Sequence, residues 1–141
     1  MNTNAVANRR PRALHEVVDW GRTNGERDAY LREFLDEFYI ERDPVVRAGM
    51  LSTPPQLCED AHVNAYLAAV AEHLSLRYRL DVPQWTSEKS RFLHKAHFPC
   101  GLESLKAMLI AQSPAAFRRR MIFVESDPLY RPRREAESDV G

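Results

Sequence analysis

The amino-acid sequence predicts an all-α fold. Apolar residues recur at steps of three and four over residues 61–80, and on a helical period this spacing gathers them on one face. The same spacing occurs in residues 26–42 and 102–112. Asp43-Pro44 and Ser113-Pro114 are typical helix starts, each with a capping side chain and then a proline in the first turn. We therefore predict a single compact domain of five or six helices.

The segment over residues 61–80 is predicted to be the central long helix. Its apolar stripe is formed by Val63, Tyr66, Leu67, Val70, Leu74 and Tyr78. We expect water to cover the opposite side, which carries Asn64, Glu72, Arg77 and Arg79. About twenty helical residues reach about 30 Å, the width of a small domain. A helix of this length can contact every other element.

Three shorter elements are expected before the central helix. Residues 1–10 are polar and aperiodic, which predicts a disordered arm, and a short helix follows from Pro11 to Trp20. The helix over residues 26–42 has an apolar stripe, and its other side is an acidic ridge of Glu33, Asp36, Glu37 and Glu41. Such a ridge is usually solvated, although it can also meet a basic partner. Another short helix is predicted over residues 44–50.

The remaining segments set the predicted domain boundaries. Residues 52–56, STPPQ, form the clearest break, yet the first fifty residues are too few to bury a core alone. We therefore predict one helical domain over residues 11–128. Residues 81–100 predict an irregular segment that contains one short helix near residues 87–93. The charged residues 129–141 predict a disordered tail.

Composition excludes several classes of protein. Twenty basic residues balance twenty acidic ones, so no net field attracts the chain to nucleic acid or membrane. The N-terminus lacks the apolar core of a signal peptide, and no apolar run approaches a membrane span. We expect a cytoplasmic protein with reduced thiols and no membrane partner. Only five glycines occur, which argues against a dinucleotide-binding or P-loop site, and we expect no cofactor.

One candidate site is a metal site formed by histidines and cysteines. Its candidate ligands are Cys58, His62, His94, His97 and Cys100, and four of the five would complete a Cys2His2 shell for zinc. The spacing does not match a common zinc finger. The alternative is that both cysteines line the core and the histidines are partly exposed polar residues. A cysteine nucleophile is a further hypothesis, because each thiol has a histidine within four residues.

The other candidate site is a basic turn, Arg118-Arg119-Arg120, which follows the helix start at Ser113. Three consecutive arginines on one helical turn point in different directions, so we expect at least one to pack inward or to pair with a carboxylate. The others are candidates for binding phosphate or an acidic protein surface. A solvated run of charges is the alternative interpretation.

The C-terminal half also resembles a known group of proteins. The stretches VNAYLAAVAEHLSLRYRLDVPQWT, RFLHKAHF and LKAMLIAQSPAAFRRRMIFV, within residues 60–126, are similar to a poorly characterised bacterial family with a Ser-Pro-x-x-Phe-Arg-x-Arg pattern. Members look like small helical proteins encoded beside nucleotidyltransferase-like toxins, sometimes fused to a helix-turn-helix domain. The resemblance implies an antitoxin-like or regulatory partner. In this chain the first 55 residues are too short for a complete helix-turn-helix domain, and His97 replaces a tryptophan-like aromatic, which favours packing at that position.

Three functional hypotheses follow. The leading one is a non-enzymatic protein-interaction module, antitoxin-like or regulatory, whose Ser113, Arg118, Arg119 and Arg120 bind an acidic protein surface such as a nucleotidyltransferase-like toxin. The second is a DNA-binding transcriptional regulator that uses the same arginines. The third is a zinc-binding protein or metal-dependent enzyme at the histidine and cysteine cluster.

Overall fold

The computed structural model describes residues 9–99 and 105–132, and the all-α class is confirmed within them. These residues form six α-helices and no strand. The helices are α1 (Glu16–Trp20), α2 (Asn24–Ile40), α3 (Pro44–Ser52), α4 (Ala61–Arg77), α5 (Lys106–Gln112) and α6 (Ala115–Arg118). Two short 3-10 turns, Gln84–Ser87 and Lys89–Arg91, stand where one short helix is predicted near residues 87–93.

The chain divides into two compact units. Of the described residues, 9–55 and 131–132 belong to the first unit, and 56–99 and 105–130 belong to the second. The division falls within the proline-rich connector predicted over residues 52–56. That all of residues 11–128 make up a single domain remains a prediction.

The first unit is built from α1, α2 and α3. The Thr23 side chain accepts a hydrogen bond from the Glu26 amide and so caps α2. The buried face of α2 carries Leu31, Phe34, Leu35 and Phe38, as its apolar spacing predicts. Gly21 ends α1 at a close approach: a Cβ there would lie 2.8 Å from both Arg27 Cγ and the Val17 carbonyl oxygen. Only glycine fits this corner without displacement.

The second unit is built on α4, against which α6 and both 3-10 turns pack. The Asp60 side chain accepts from the His62 amide at the start of α4. The helix ends at Arg77, three residues before the predicted end. Arg79 has a φ of 59°, and the Leu80 amide donates to the Ser75 carbonyl at 2.8 Å, which closes the helix end. Whether α4 organises the whole chain remains a prediction.

Two polar side chains of α4 are buried, so the predicted division of this helix into an apolar side and a solvated side is partly wrong. Asn64 and Glu72 were both expected to face water, but each is only 7% exposed. The Asn64 amide accepts from the Cys58 backbone N–H and donates to the Cys58 carbonyl. Glu72 accepts hydrogen bonds from two arginines. Burial is tolerated because both polar groups find partners inside the unit.

The predicted start of the disordered tail, at residue 129, is too early in the sequence. Leu129 is buried, and Arg131 forms hydrogen bonds with Asp36, so residues 129–132 are ordered. The rest of the predicted tail, the predicted arm up to residue 8, and the first three residues of the predicted 102–112 helix lie outside the described residues. Among the described helices, none combines the length and apolar character that a membrane crossing requires.

Candidate functional site

The basic turn predicted at residues 118–120 lies at the end of α6. Phe117 is fully buried, and its ring meets the ring of Tyr66 on α4 edge-on at 5.3 Å. Met121 has a φ of 65°, and the Ile122 amide donates to the Phe117 carbonyl at 3.0 Å. These contacts fix the position of the last turn of α6. The three arginines that follow Phe117 leave this turn in different directions.

Arg120 points into the protein and is 0% exposed. Its Nη1 donates to Glu72 Oε1 at 2.5 Å and to the Ala116 carbonyl at 2.8 Å, and its Nη2 donates to the Thr86 carbonyl at 2.6 Å. The guanidinium also lies over the Phe92 ring, 4.6 Å from its centre. Burial lowers the pKa of Arg120, and the hydrogen bond that Arg120 donates to Glu72 opposes that shift. Arg120 is thus a structural residue, and its predicted role in binding a partner is wrong because no partner can reach it.

Arg119 also donates to the Glu72 carboxylate, but Arg119 lies at the surface of the unit. Its Nη1 donates to Glu72 Oε2 at 3.2 Å, while half of its side chain (51%) stays exposed. The guanidinium lies 5.6 Å from the centre of the Phe92 ring. One carboxylate and one aromatic ring therefore orient two consecutive arginines, one inside the unit and one at its surface.

Arg118 is exposed on the same turn. Its Nη1 donates to the Ser113 carbonyl at 2.9 Å, which ties the side chain back along α6. Arg118 and Arg119 are consequently the two members of the predicted turn that an external molecule can reach.

Ser113 has a different role from the one predicted. It is 2% exposed, so it cannot bind a partner, and the cap of α6 is Pro114 without a side-chain hydrogen bond. The Ser113 hydroxyl lies 2.6 Å from the Leu109 carbonyl oxygen and 3.0 Å from the Val124 carbonyl oxygen, and it accepts from the Val124 amide at 2.8 Å. Ser113 therefore ties the end of α5 to the extended chain near Val124.

The histidines and cysteines of the predicted metal site are only partly gathered. The rings of His62 and His97 stack with their centres 3.9 Å apart, and His62 Nδ1 lies 3.5 Å from an Asp60 oxygen. The Cys58 thiol donates to the Asp60 carbonyl at 3.6 Å, and His94 is exposed. Within the described part of the chain, no three such side chains are placed to hold a metal ion. Cys100 lies outside that part, so the metal site remains a prediction.

His97 is also held by its backbone. Its backbone forms an isolated parallel bridge with Ile122: its N–H donates to the Met121 carbonyl, and its carbonyl accepts from the Phe123 amide. Burial lowers the pKa of the His97 imidazole, with a further contribution from the neighbouring His62. This bridge joins the irregular segment to the chain that follows the basic turn.

Glu72 is the site residue that sequence reasoning missed. It is the only carboxylate within the apolar run from Leu67 to Leu74, and an isolated charge in such a run was the available signal. Arg91 was missed as well: it is 1% exposed, donates to the Asn64 carbonyl at 3.3 Å and lies over the Trp85 ring. Both residues resemble surface charges when only their spacing is considered.

The fold and the site define an all-α protein whose second unit carries an arginine turn anchored on a buried carboxylate. No protein-family model matches the chain, and the searches of curated proteins and of solved structures give no match either. The resemblance to partners of nucleotidyltransferase-type toxins thus remains a prediction.

Proposed function

We propose that this protein is a non-enzymatic interaction module, antitoxin-like or regulatory, that binds an acidic protein surface through Arg118 and Arg119. One observation carries the proposal. The two exposed guanidinium groups occupy one turn, and each is oriented by a contact with its own unit, Arg118 by the Ser113 carbonyl and Arg119 by Glu72. Side chains that are already oriented lose less conformational entropy when they form bidentate pairs with carboxylates.

The binding experiment uses the product of the neighbouring open reading frame as its probe, because the resemblance implies a toxin-like neighbour. The tagged chain is co-expressed with that product and purified by its tag. The variant Arg118→Glu/Arg119→Glu reverses the two exposed charges, and we expect at least about tenfold less copurified product because each lost charged pair weakens binding. Lys89→Glu/Lys95→Glu is the matched control, since it reverses two exposed charges of the same unit.

Circular dichroism establishes that each variant is folded before copurification is compared. A folded Arg118→Glu/Arg119→Glu variant that retains the product unchanged contradicts the proposal. Binding to duplex DNA that weakens steeply with added salt, and is lost in the same variant, would instead favour the DNA-binding alternative.

A further inference from the structure

The acidic ridge of α2 is covered by arginines from the same chain. Three of its four carboxylates, Asp36, Glu37 and Glu41, are paired with arginines near the two ends of the described chain. Their side chains are half-buried. The ridge was expected either to be solvated or to meet a basic partner, and in this structure the basic groups belong to the first unit itself.

The pairing of Arg131 with Asp36 has the geometry of specific guanidinium recognition. Arg131 Nε donates to Asp36 Oδ1 at 3.0 Å, and Arg131 Nη2 donates to Asp36 Oδ2 at 3.2 Å. A planar guanidinium group can donate two parallel hydrogen bonds to the two oxygens of one carboxylate. The ammonium group of lysine cannot reproduce this geometry, because it acts as a point charge. The hydrogen bonds to Asp36 raise the pKa of Arg131.

Two arginines that precede α1 also pair with the ridge. Arg10 Nη2 donates to Asp36 Oδ2 at 3.2 Å, and Arg10 Nε lies 3.1 Å from Glu37 Oε2. Arg12 spans the next turn, with Nη1 3.4 Å from Glu37 Oε1 and Nη2 3.2 Å from Glu41 Oε1. Three guanidinium groups thus follow one another along about two turns of α2, each in reach of a carboxylate.

We propose that the acidic ridge of α2 is a binding surface for an arginine-rich segment, and that Arg10, Arg12 and Arg131 occupy it in the free protein. Ion pairs between partly exposed side chains are weak and screened by salt, so a competing segment can displace them. The sequence of residues 131–134, Arg-Pro-Arg-Arg, has the chemistry of a fitting ligand, because three of its four residues carry guanidinium groups. This surface is independent of Arg118 and Arg119, which belong to the second unit.

The test measures binding of a fluorescent peptide with the sequence of residues 129–134, LYRPRR, to the full chain by anisotropy at low salt. Arg131→Ala removes the two hydrogen bonds from Arg131 to Asp36 and leaves Arg10 on that carboxylate. We expect this variant to bind the peptide about fivefold more tightly than the wild type, since the intramolecular competitor with two hydrogen bonds is gone. Arg32→Ala is the matched control: it removes one arginine from the same helix without touching Asp36. We expect the control to bind as the wild type does. Adding Asp36→Asn to Arg131→Ala should abolish the gain.

A second peptide, LYKPKK, keeps the charge and removes the guanidinium fork. We expect it to bind the Arg131→Ala variant several-fold more weakly than LYRPRR. The proposal is overturned if folded Arg131→Ala gains no affinity, if Arg32→Ala gains as much, or if the two peptides bind equally well. Thermal unfolding of every variant establishes that the comparison concerns folded protein.

Discussion

Arg120 and Glu72 form a buried ion pair across 48 residues of sequence, with Arg120 Nη1 2.5 Å from Glu72 Oε1. The pair joins the end of α6 to the middle of α4. Thr86 and Ala116 accept the other Arg120 hydrogen bonds through their carbonyls, so the buried guanidinium meets three separate parts of the second unit. The position of the exposed Arg119 depends on the same carboxylate.

Removing the Glu72 charge should strongly destabilise the protein. Glu72→Gln keeps the side-chain volume but leaves the buried Arg120 without its counter-charge, and we expect the free energy of unfolding to fall by about 3 kcal/mol. Glu125→Gln, which neutralises an exposed carboxylate of the same unit, is the control and should change it by less than about 0.5 kcal/mol. Denaturant unfolding measures both. A small loss in Glu72→Gln would show that Arg120 does not need its partner.

The double variant Glu72→Met/Arg120→Met tests the same pair by removing both of its charges. Replacing both buried charges removes the desolvation cost together with the attraction, so we expect it to recover most of the stability lost in Glu72→Gln. Greater loss than in the single variant would contradict this reasoning.

Substitution of Gly21 and of Gly49, both in the first unit, by alanine should change the free energy of unfolding with opposite signs. At Gly21 the added Cβ would lie 2.8 Å from the Val17 carbonyl oxygen, so we expect Gly21→Ala to reduce the free energy of unfolding by about 1–3 kcal/mol. At Gly49, inside α3, no atom lies within 4 Å of the added Cβ, and Gly49→Ala should raise it by about 0.5–1 kcal/mol. Equal changes in thermal stability in Gly21→Ala and Gly49→Ala would contradict this prediction.

The Ser113 hydroxyl should contribute to stability. In Ser113→Ala the buried Val124 amide loses its hydrogen-bond acceptor, and we expect the free energy of unfolding to fall by about 1–3 kcal/mol. Ser52→Ala, which removes an exposed hydroxyl, is the control. A Ser113→Ala variant as stable as the control would show that the hydroxyl contributes little.

Acidic pH should weaken the fold through His73 and His97. The pKa of each lies below the ordinary value of 6.5, chiefly because burial disfavours the imidazolium. The unfolded chain therefore binds more protons as the pH falls through 6.5, so the free energy of unfolding should decrease from there until both histidines are protonated in the folded state. Urea unfolding between pH 8 and 5 measures the slope, and His73→Asn/His97→Asn should make it shallower. The exposed His94→Asn is the reference; a double variant with the slope of the wild type would contradict the assignment.

Sequence alone determined where most of the described helices lie. Three- and four-residue apolar spacing, a proline after a capping residue, and consecutive prolines are local signals, so α2, α3, α4 and the break at residues 52–56 could be predicted. The predicted helix ends were less accurate than the predicted helices. The end of α4 was missed because the residue with positive φ there is Arg79, and no glycine marks the position in the sequence.

Tertiary structure decided which polar residues are buried. Spacing placed Glu72 and Asn64 on the water-facing side of α4, and it could not tell Arg120 from Arg118 and Arg119. Glu72 and Arg120 are buried because each neutralises the other from a distant part of the chain, and sequence spacing does not record such partners. The same reason explains the ridge of α2, where Asp36 pairs with Arg131, 95 residues further along the chain.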